Sequence, residues 1–189
     1  MKVSREQAAK NRERILETAA RLFRERGFDG IGVADLMKAA GLTHGGFYGH
    51  FKSKEELMAL ASERALAESN ENWTRAAAEG EAALGRMVQN YLSPRHRDAP
   101  GRGCVVAALA TDAARQPMPV RQALTQGVRH HVESLEAMVP GKTRAAKREK
   151  ALAVYAGMVG ALALARAVDD EVLSEALLKA AARGLTGAN

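Results

Sequence analysis

The sequence predicts an all-α protein of about nine helices, and three observations carry that expectation. Alanine and leucine, both strong helix formers, supply much of the apolar content, while aromatic residues make up only 4%. Capping residues and glycine or proline stops recur at helix-length intervals. Only five prolines interrupt the chain, and no run of alternating β-branched residues marks a strand.

The first helix opens at Ser4 and Gln7, a capping-box pair in which serine oxygen and glutamine side chain serve opposite backbone donors. Behind them Ile15, Ala19 and Leu22 recur at helical spacing, as do Leu16, Ala20 and Phe23, until Gly27 supplies the stop. Residues 33–40 read as a short second helix ended by Gly41. Thr43 is the expected N-cap of a third, 44–50. Ser53 and Glu56 form a second capping box, which starts a long fourth helix running toward Gly80. All four phenylalanines (Phe23, Phe28, Phe47 and Phe51) fall within the first 54 residues, enough to give a small head its own core.

The rest reads as a helical body. A helix at 81–93 ends at Ser93-Pro94. Residues 94–103 hold two prolines, two glycines and three arginines, and read as the main flexible loop. A helix at 104–115 is closed by Pro117 and Pro119. In the next, Val120, Leu124, Val128, Val132 and Leu135 line one face, and Pro140-Gly141 ends it. Residues 144–168 form a long helix, Asp169-Asp170 a turn, and 171–183 the last helix. No internal repeat is visible. The expected organisation is one domain at 1–54 and a second at 55–189.

Charge separates the same two regions. Residues 1–54 carry eleven Lys and Arg against six Asp and Glu, whereas residues 55–189 carry seventeen against sixteen. A basic head on a nearly neutral body points to a polyanion, nucleic acid first, with a solvated basic surface as the plain alternative. The single cysteine excludes an intrachain disulfide and fits a reducing compartment. The N-terminus is charged from the start and has no apolar signal region. The longest apolar run, 151–165, ends at Arg166, short of the roughly 18 to 20 residues of a membrane span. A cytoplasmic protein with no membrane partner is expected.

Two short helices about a glycine-containing turn are the geometry of a helix-turn-helix, whose second helix enters the major groove. That second helix opens with Thr43-His44-Gly45-Gly46. Two consecutive glycines would weaken a helix that served only a core, but small residues let a backbone approach a groove floor. Phe47 and Phe51, four apart, anchor one face inward. Tyr48 and His50 face elsewhere, where they can donate to phosphates.

These residues make the sequence recognisable. Residues 9–57 resemble the DNA-binding domain of the TetR family. The resemblance rests on Ile15-Leu16, Ala19-Ala20 and Leu22-Phe23, on Gly27-Phe28, and on Ala40-Gly41-Leu42-Thr43. The stretch from Gly46-Phe47-Tyr48-Gly49-His50-Phe51 through Lys52-Ser53-Lys54-Glu55-Glu56-Leu57 completes it and is the most specific signal in the chain. The resemblance implies groove-facing Thr43, His44, Gly45, Gly46 and Tyr48, with Tyr48, His50 and Lys54 on the phosphate backbone. One departure is Ile31-Gly32, where the family usually carries Ser or Thr before the second helix. Glycine still caps there, but a hydroxyl contact to phosphate is missing.

The resemblance further implies that the last two helices pair with their twofold mates in a four-helix bundle. Ala153, Gly157, Ala161 and Ala165 form a small-residue stripe at four-residue spacing, and Val172, Ala176 and Ala180 a matching one. An intrachain core would explain the same stripes. The body's aromatics, Trp73, Tyr91 and Tyr155, with Met87, Met118, Met138 and Met158, could line a ligand pocket or simply pack the core. Gly103-Cys104, opening a helix, is similar to the NemR-like branch of the family, whose cysteine answers electrophiles. A thiol at a helix N-terminus beside Arg95, His96, Arg97 and Arg102 is shifted toward thiolate, although a small buried hydrophobe is the competing role.

His96, His130 and His131 offer no metal-binding spacing on one helical face. Nothing resembles a nucleophile elbow, a phosphate-cradling glycine loop or a paired-carboxylate site, so no enzyme, metal or cofactor is expected. The implied function is a ligand- or electrophile-responsive transcriptional repressor, a homodimer on palindromic double-stranded operator DNA. A helical small-molecule-binding protein with a three-helix head, or a non-specific DNA-binding protein, are the alternatives.

Overall fold

Helix boundaries follow the caps almost residue for residue in the computed structural model, which describes residues 4–187. Met1, Lys2 and Val3 of the charged N-terminal stretch lie outside the described residues, as do Ala188 and Asn189. The described residues form α1 (Arg5–Arg26), α2 (Val33–Ala39), α3 (Lys54–Ala78), α4 (Leu84–Tyr91) and α5 (Pro94–Arg97). These are followed by α6 (Val105–Ala113), α7 (Met118–Met138), α8 (Arg144–Ala167) and α9 (Glu171–Thr186). Three 3-10 turns, His44–Gly49, Gly80–Ala83 and Pro100–Arg102, complete the order, and no strand occurs among the described residues. The protein is all-α, as the sequence predicts.

Five serine, threonine or aspartate caps hold helix starts by accepting a backbone N–H three residues on. They are Ser4 to Gln7 (3.1 Å), Ser53 to Glu56 (3.2 Å), Ser93 to His96 (3.2 Å), Thr143 to Ala146 (3.2 Å) and Asp170 to Leu173 (3.0 Å). The Ser4 capping box is only half formed, because the Gln7 side chain donates to Asn11 instead of reaching back. At the second box the Glu56 carboxylate does reach back, but to the Lys52 N–H.

Two expectations need correction. The 44–50 helix is a 3-10 turn, and Thr43 makes no side-chain cap, although its backbone is extended as an N-cap requires. Three glycines in a six-residue segment leave too little propensity to extend an α-helical ladder. The predicted flexible loop at 94–103 is instead two short helical turns tied to the body. Arg97 donates to Glu171 (2.9 Å) and Ser174 (2.9 Å), and Arg166 donates to the carbonyls of Arg97 (3.0 Å) and His96 (2.7 Å). Gly101 sits where an added Cβ would fall 2.3 Å from Glu25 of α1, so the turn presses directly on the head. The count of nine α-helices therefore coincides with the expected number for different reasons. One expected helix is a 3-10 turn, and α5 forms within the expected loop.

One continuous apolar core runs from head to body. Phe23, Phe28, Phe47 and Leu57 are fully buried in the head, and Leu109, Leu135, Met158 and Leu162 in the body. Each such side chain contributes roughly 1.5–3 kcal/mol by leaving water. Helix α3 crosses from head to body without a break, and α6 supplies a second link. There Asp112 accepts the Phe28 backbone N–H in the α1–α2 turn at 3.2 Å. Helix α8 is long and apolar enough, by length and composition, to cross a membrane, with a mean hydropathy of 1.3. It packs along α7 and α9 on one side, and its other side is exposed.

Candidate functional site

The head presents its predicted residues together on one outer edge. Phe47 and Phe51 are buried with ring centroids 5.7 Å apart, and the Arg12 guanidinium of α1 lies 5.0 Å over the Phe51 ring. That anchor turns the other side of the segment outward. Thr43, His44 and Gly45 are exposed, Gly46 and His50 are half-buried, and Tyr48 is 70% exposed, its ring edge-on to Phe47. Lys54, half-buried, stands at the first residue of α3 beside this edge.

The glycines here are not explained by the chain itself. A Cβ at Gly45 or Gly49 would meet nothing within 4 Å, and neither residue has a positive φ. Gly46 is closer to need, with Met37 and Thr43 at ordinary contact distance. Gly41, at φ +68°, does require its glycine to end α2. Gly32, which caps α2 without a side chain, also faces open space, so the missing hydroxyl leaves no compensating contact.

Five helices bring the predicted body residues into one buried cluster. Trp73 of α3 stacks on His131 of α7 at 4.4 Å, and Tyr91 of α4 and Tyr155 of α8 meet it edge-on at 6.4 and 6.0 Å. The His131 ring nitrogens meet Tyr155 Oη at 3.0 Å and Ser69 Oγ at 3.3 Å. A neutral ring serves both, because each hydroxyl can donate or accept. Burial, aided by neighbouring His130, lowers the His131 pKa to about 4. His131 was not foreseen as a hub. It could have been, since it falls on the same face as Leu124, Val128 and Leu135, where a histidine among apolar residues needs internal partners.

Cys104, buried, is the N-cap of α6 and the meeting point of the cluster. Its backbone N–H donates to His96 Nε2 at 2.9 Å, while His96 Nδ1–H donates to the Tyr91 carbonyl at 2.7 Å. This fixes a neutral tautomer, and burial, with Arg166 nearby, lowers the His96 pKa further. The Tyr91 and Tyr155 hydroxyls lie against the thiol, and both are held well above the ordinary tyrosine range, chiefly by burial. The cations facing Cys104 are Arg24 of α1 and Arg166 of α8, not Arg95 or Arg97 from the adjoining segment. Arg97 is turned to Asp98 and Glu171. The sequence points to cations from the adjoining segment, and the structure brings them from α1 and α8.

On α8 the predicted stripe is split between two faces. Ala165 is buried, Ala161 half-buried, and a Cβ on Gly157 would fall 2.8 Å from Leu185 of α9. Ala153 is exposed, as are Val172 and Ala176 on α9. One step around the helix, Gly160 faces open space among exposed Leu152, Ala156, Ala163 and Leu164. An exposed apolar face thus spans α8 and continues onto α9 at Val172, Leu173 and Ala176. Among the described residues no group of three or more His, Cys, Asp or Glu is placed to hold a metal ion.

A short helix, a turn and an outward-facing second helical segment, braced by α1 and mounted on a helical body, define a helix-turn-helix regulatory protein. Two family models agree, one for "Bacterial regulatory proteins, tetR family" over residues 15–61 and one for "Tetracyclin repressor-like, C-terminal domain" over residues 80–181. The second covers more than half of the chain, and the protein belongs to the TetR family. The HTH-type transcriptional repressor NemR of Escherichia coli is 29% identical over 122 residues, 62% of this chain and 61% of that protein. The repressor DhaR of Mycobacterium sp. is 26% identical over 101 residues, 53% and 51% of the two chains. The matched stretch thus spans about three-fifths of the first relative's length and half of the second's. In fold, the reduced form of Escherichia coli NemR superposes with a TM-score of 0.79 at 24% identity, covering 94% of this chain and 96% of that one. AibR in complex with isovaleryl coenzyme A and operator DNA superposes at 0.66 with 17% identity, covering 93% and 98%.

Proposed function

We propose that the protein is a ligand- or electrophile-responsive transcriptional repressor, acting as a cytoplasmic homodimer on a palindromic operator. Residues 1–54 are its DNA-binding unit and 55–189 its sensing and dimerisation unit. The observation that carries the reading is the empty space outside Gly45 and Gly49. Neither backbone angle nor packing demands glycine there, so the demand comes from outside the chain, and a groove floor approached by backbone makes it. Thr43, His44, Gly45 and Gly46 face that groove. Tyr48, His50 and Lys54 hold phosphates on either side.

The exposed apolar face of α8 and α9 supports the dimer. Small residues at Ala153, Ala156 and Gly160 let a second copy approach closely, and Leu152, Leu164 and Val172 flank them with apolar area. Of the stripe named from sequence, Ala153, Val172 and Ala176 belong to this face, while Gly157, Ala161 and Ala165 support it from inside the chain. The chemistry calls for no catalytic group, metal or cofactor.

The sensing site is the cluster of Trp73, Tyr91, Tyr155 and Cys104. A modified Cys104 no longer fits against two tyrosine hydroxyls, and it sits on the first turn of α6. That helix is about 13 Å long and carries in its last turn Asp112, which holds the Phe28 N–H of the head. Displacing α6 therefore loosens the head, and a shift of about 1–3 kcal/mol is enough to change operator occupancy several-fold. The test is a footprint on the DNA upstream of the protein's own gene, sharp against competitor, followed by a maleimide or a quinone. Wild type is expected to release the DNA and Cys104→Ser to retain it. Equal release by both, or retention by wild type with the thiol shown to be modified, removes Cys104 as the switch.

A further inference from the structure

A cleft of about 850 Å³ opens between α1 of the head and α3 of the body, and reaches inward to Cys104. Its size is ordinary for a small-molecule site, but its charge is not. Arg14, Arg21, Arg24, Arg64 and Arg102 line it. Only Glu17 and Glu68 oppose them from its walls.

Most of these arginines are already engaged. Arg64 pairs with Glu13 and Glu68, Arg21 with Glu25, and Arg14 donates to Asn11. Arg24 differs. It is half-buried, forms no ion pair among the described residues, and its Nε is buried without a hydrogen-bond partner. Burial lowers its pKa, with Glu68 the chief countercharge but committed to Arg64. A second poorly served group lies at the cleft's inner end. Tyr91 is 6% exposed, and its Oη has nothing to bond but the weakly accepting Cys104 thiol beside it. A buried guanidinium N–H without a partner and a buried hydroxyl served only by sulfur cost free energy that a carboxylate reaching both would restore.

We propose that this cleft binds an organic carboxylate, its oxygens accepting from Arg24 Nε–H and the Tyr91 hydroxyl. The apolar body of the ligand rests on Trp73 and Met87, which line the same cleft. The proposal rests on the reading of this region as the sensing site and names the chemistry it recognises. Because Arg24 belongs to the head and Tyr91 to the body, one bound carboxylate touches both units at once.

Trp73 is the only tryptophan in the chain, so its emission reports on the cleft alone. Phenylacetate and benzoate, with phenylacetamide and benzamide as neutral matches, are titrated while Trp73 emission and the melting temperature are followed. The acids are expected to bind at least tenfold more tightly than the amides. Arg24→Gln is expected to abolish that preference with the unliganded melting temperature within a few degrees of wild type, and Arg24→Lys to restore part of it. Equal affinity of acid and amide overturns the carboxylate assignment and leaves a neutral-ligand pocket standing. A preference that survives in Arg24→Gln overturns it equally. Silence toward all four compounds also overturns it, while the Cys104→Ser footprint decides the sensor reading separately.

Discussion

The recognition segment and the Cys104 cluster are opposite solutions to the same problem of placing functional side chains. The recognition segment spends its polar and small residues outward. Tyr48 is 70% exposed, and Gly45 and Gly49 face empty space. The cluster turns everything inward, so that His131 is 1% exposed and finds its partners in Ser69, Tyr155 and Trp73. A surface left incomplete by its own chain is built for an external partner. The His131 hub of the cluster, its ring nitrogens served from within, is built to hold one state until something disturbs it.

Acid should break the cluster first. His131 is neutral in the fold, with its pKa lowered to about 4 from an ordinary 6.5. Above pH 6.5 neither folded nor unfolded chain carries this proton. Between 6.5 and 4 the unfolded chain binds it and the folded chain does not, so stability falls with acidification by up to about 3 kcal/mol and levels off below 4. Urea unfolding at intervals across that window should show the slope, and His131→Phe should flatten it. An identical slope in the variant would remove His131 as the source.

The head should fail in the contrary manner, losing function without stability. An added Cβ at Gly45 meets no atom within 4 Å, so the melting temperature of Gly45→Ala should hold, while specific operator affinity drops about 100-fold, roughly 3 kcal/mol. Retained affinity would mean that no groove floor approaches this backbone.

The same contrast recurs between two glycines on α8. Gly157→Leu should overpack Leu185 and destabilise the chain by about 1–3 kcal/mol without dissociating a dimer. Gly160→Leu projects into open space and should instead yield monomers in sedimentation. A stable Gly160→Leu dimer would place the seam on another face.

The smallest effects belong to the proposed phosphate contacts. Tyr48→Ala and Lys54→Ala should each weaken binding to every duplex by about 1 kcal/mol. The lysine change should also reduce the salt slope by about one counterion, because its contact is ionic. An unaltered salt slope in Lys54→Ala would move that lysine off the backbone.

The helical class and the caps at Ser4 and Ser53 are legible in the sequence alone, as is the largely exposed run from Thr43 to Lys54. All of these depend on neighbours within a few residues. Capping, periodicity and a turn are written in local spacing, and so is an exposed edge braced by Phe47 and Phe51. Even locally, the glycines at 45, 46 and 49 outweighed the periodicity and made a 3-10 turn of an expected helix. Only the tertiary structure decided what surrounds Cys104. Arg24 and Arg166 lie 80 and 62 positions away, and His131 gathers Ser69 and Trp73 from α3 and Tyr155 from α8. The segment at 94–103 reads as flexible from its prolines and glycines, yet it is pinned by Arg97 and Arg166 through partners about 70 residues distant. Likewise one face of α8 is inward and the next outward, because Leu185 of α9 fills the space beside Gly157 and nothing fills it beside Gly160. Side chains of small residues look alike at either position in the sequence. Which of them is packed depends on where another helix lies, and that is a property of the whole fold.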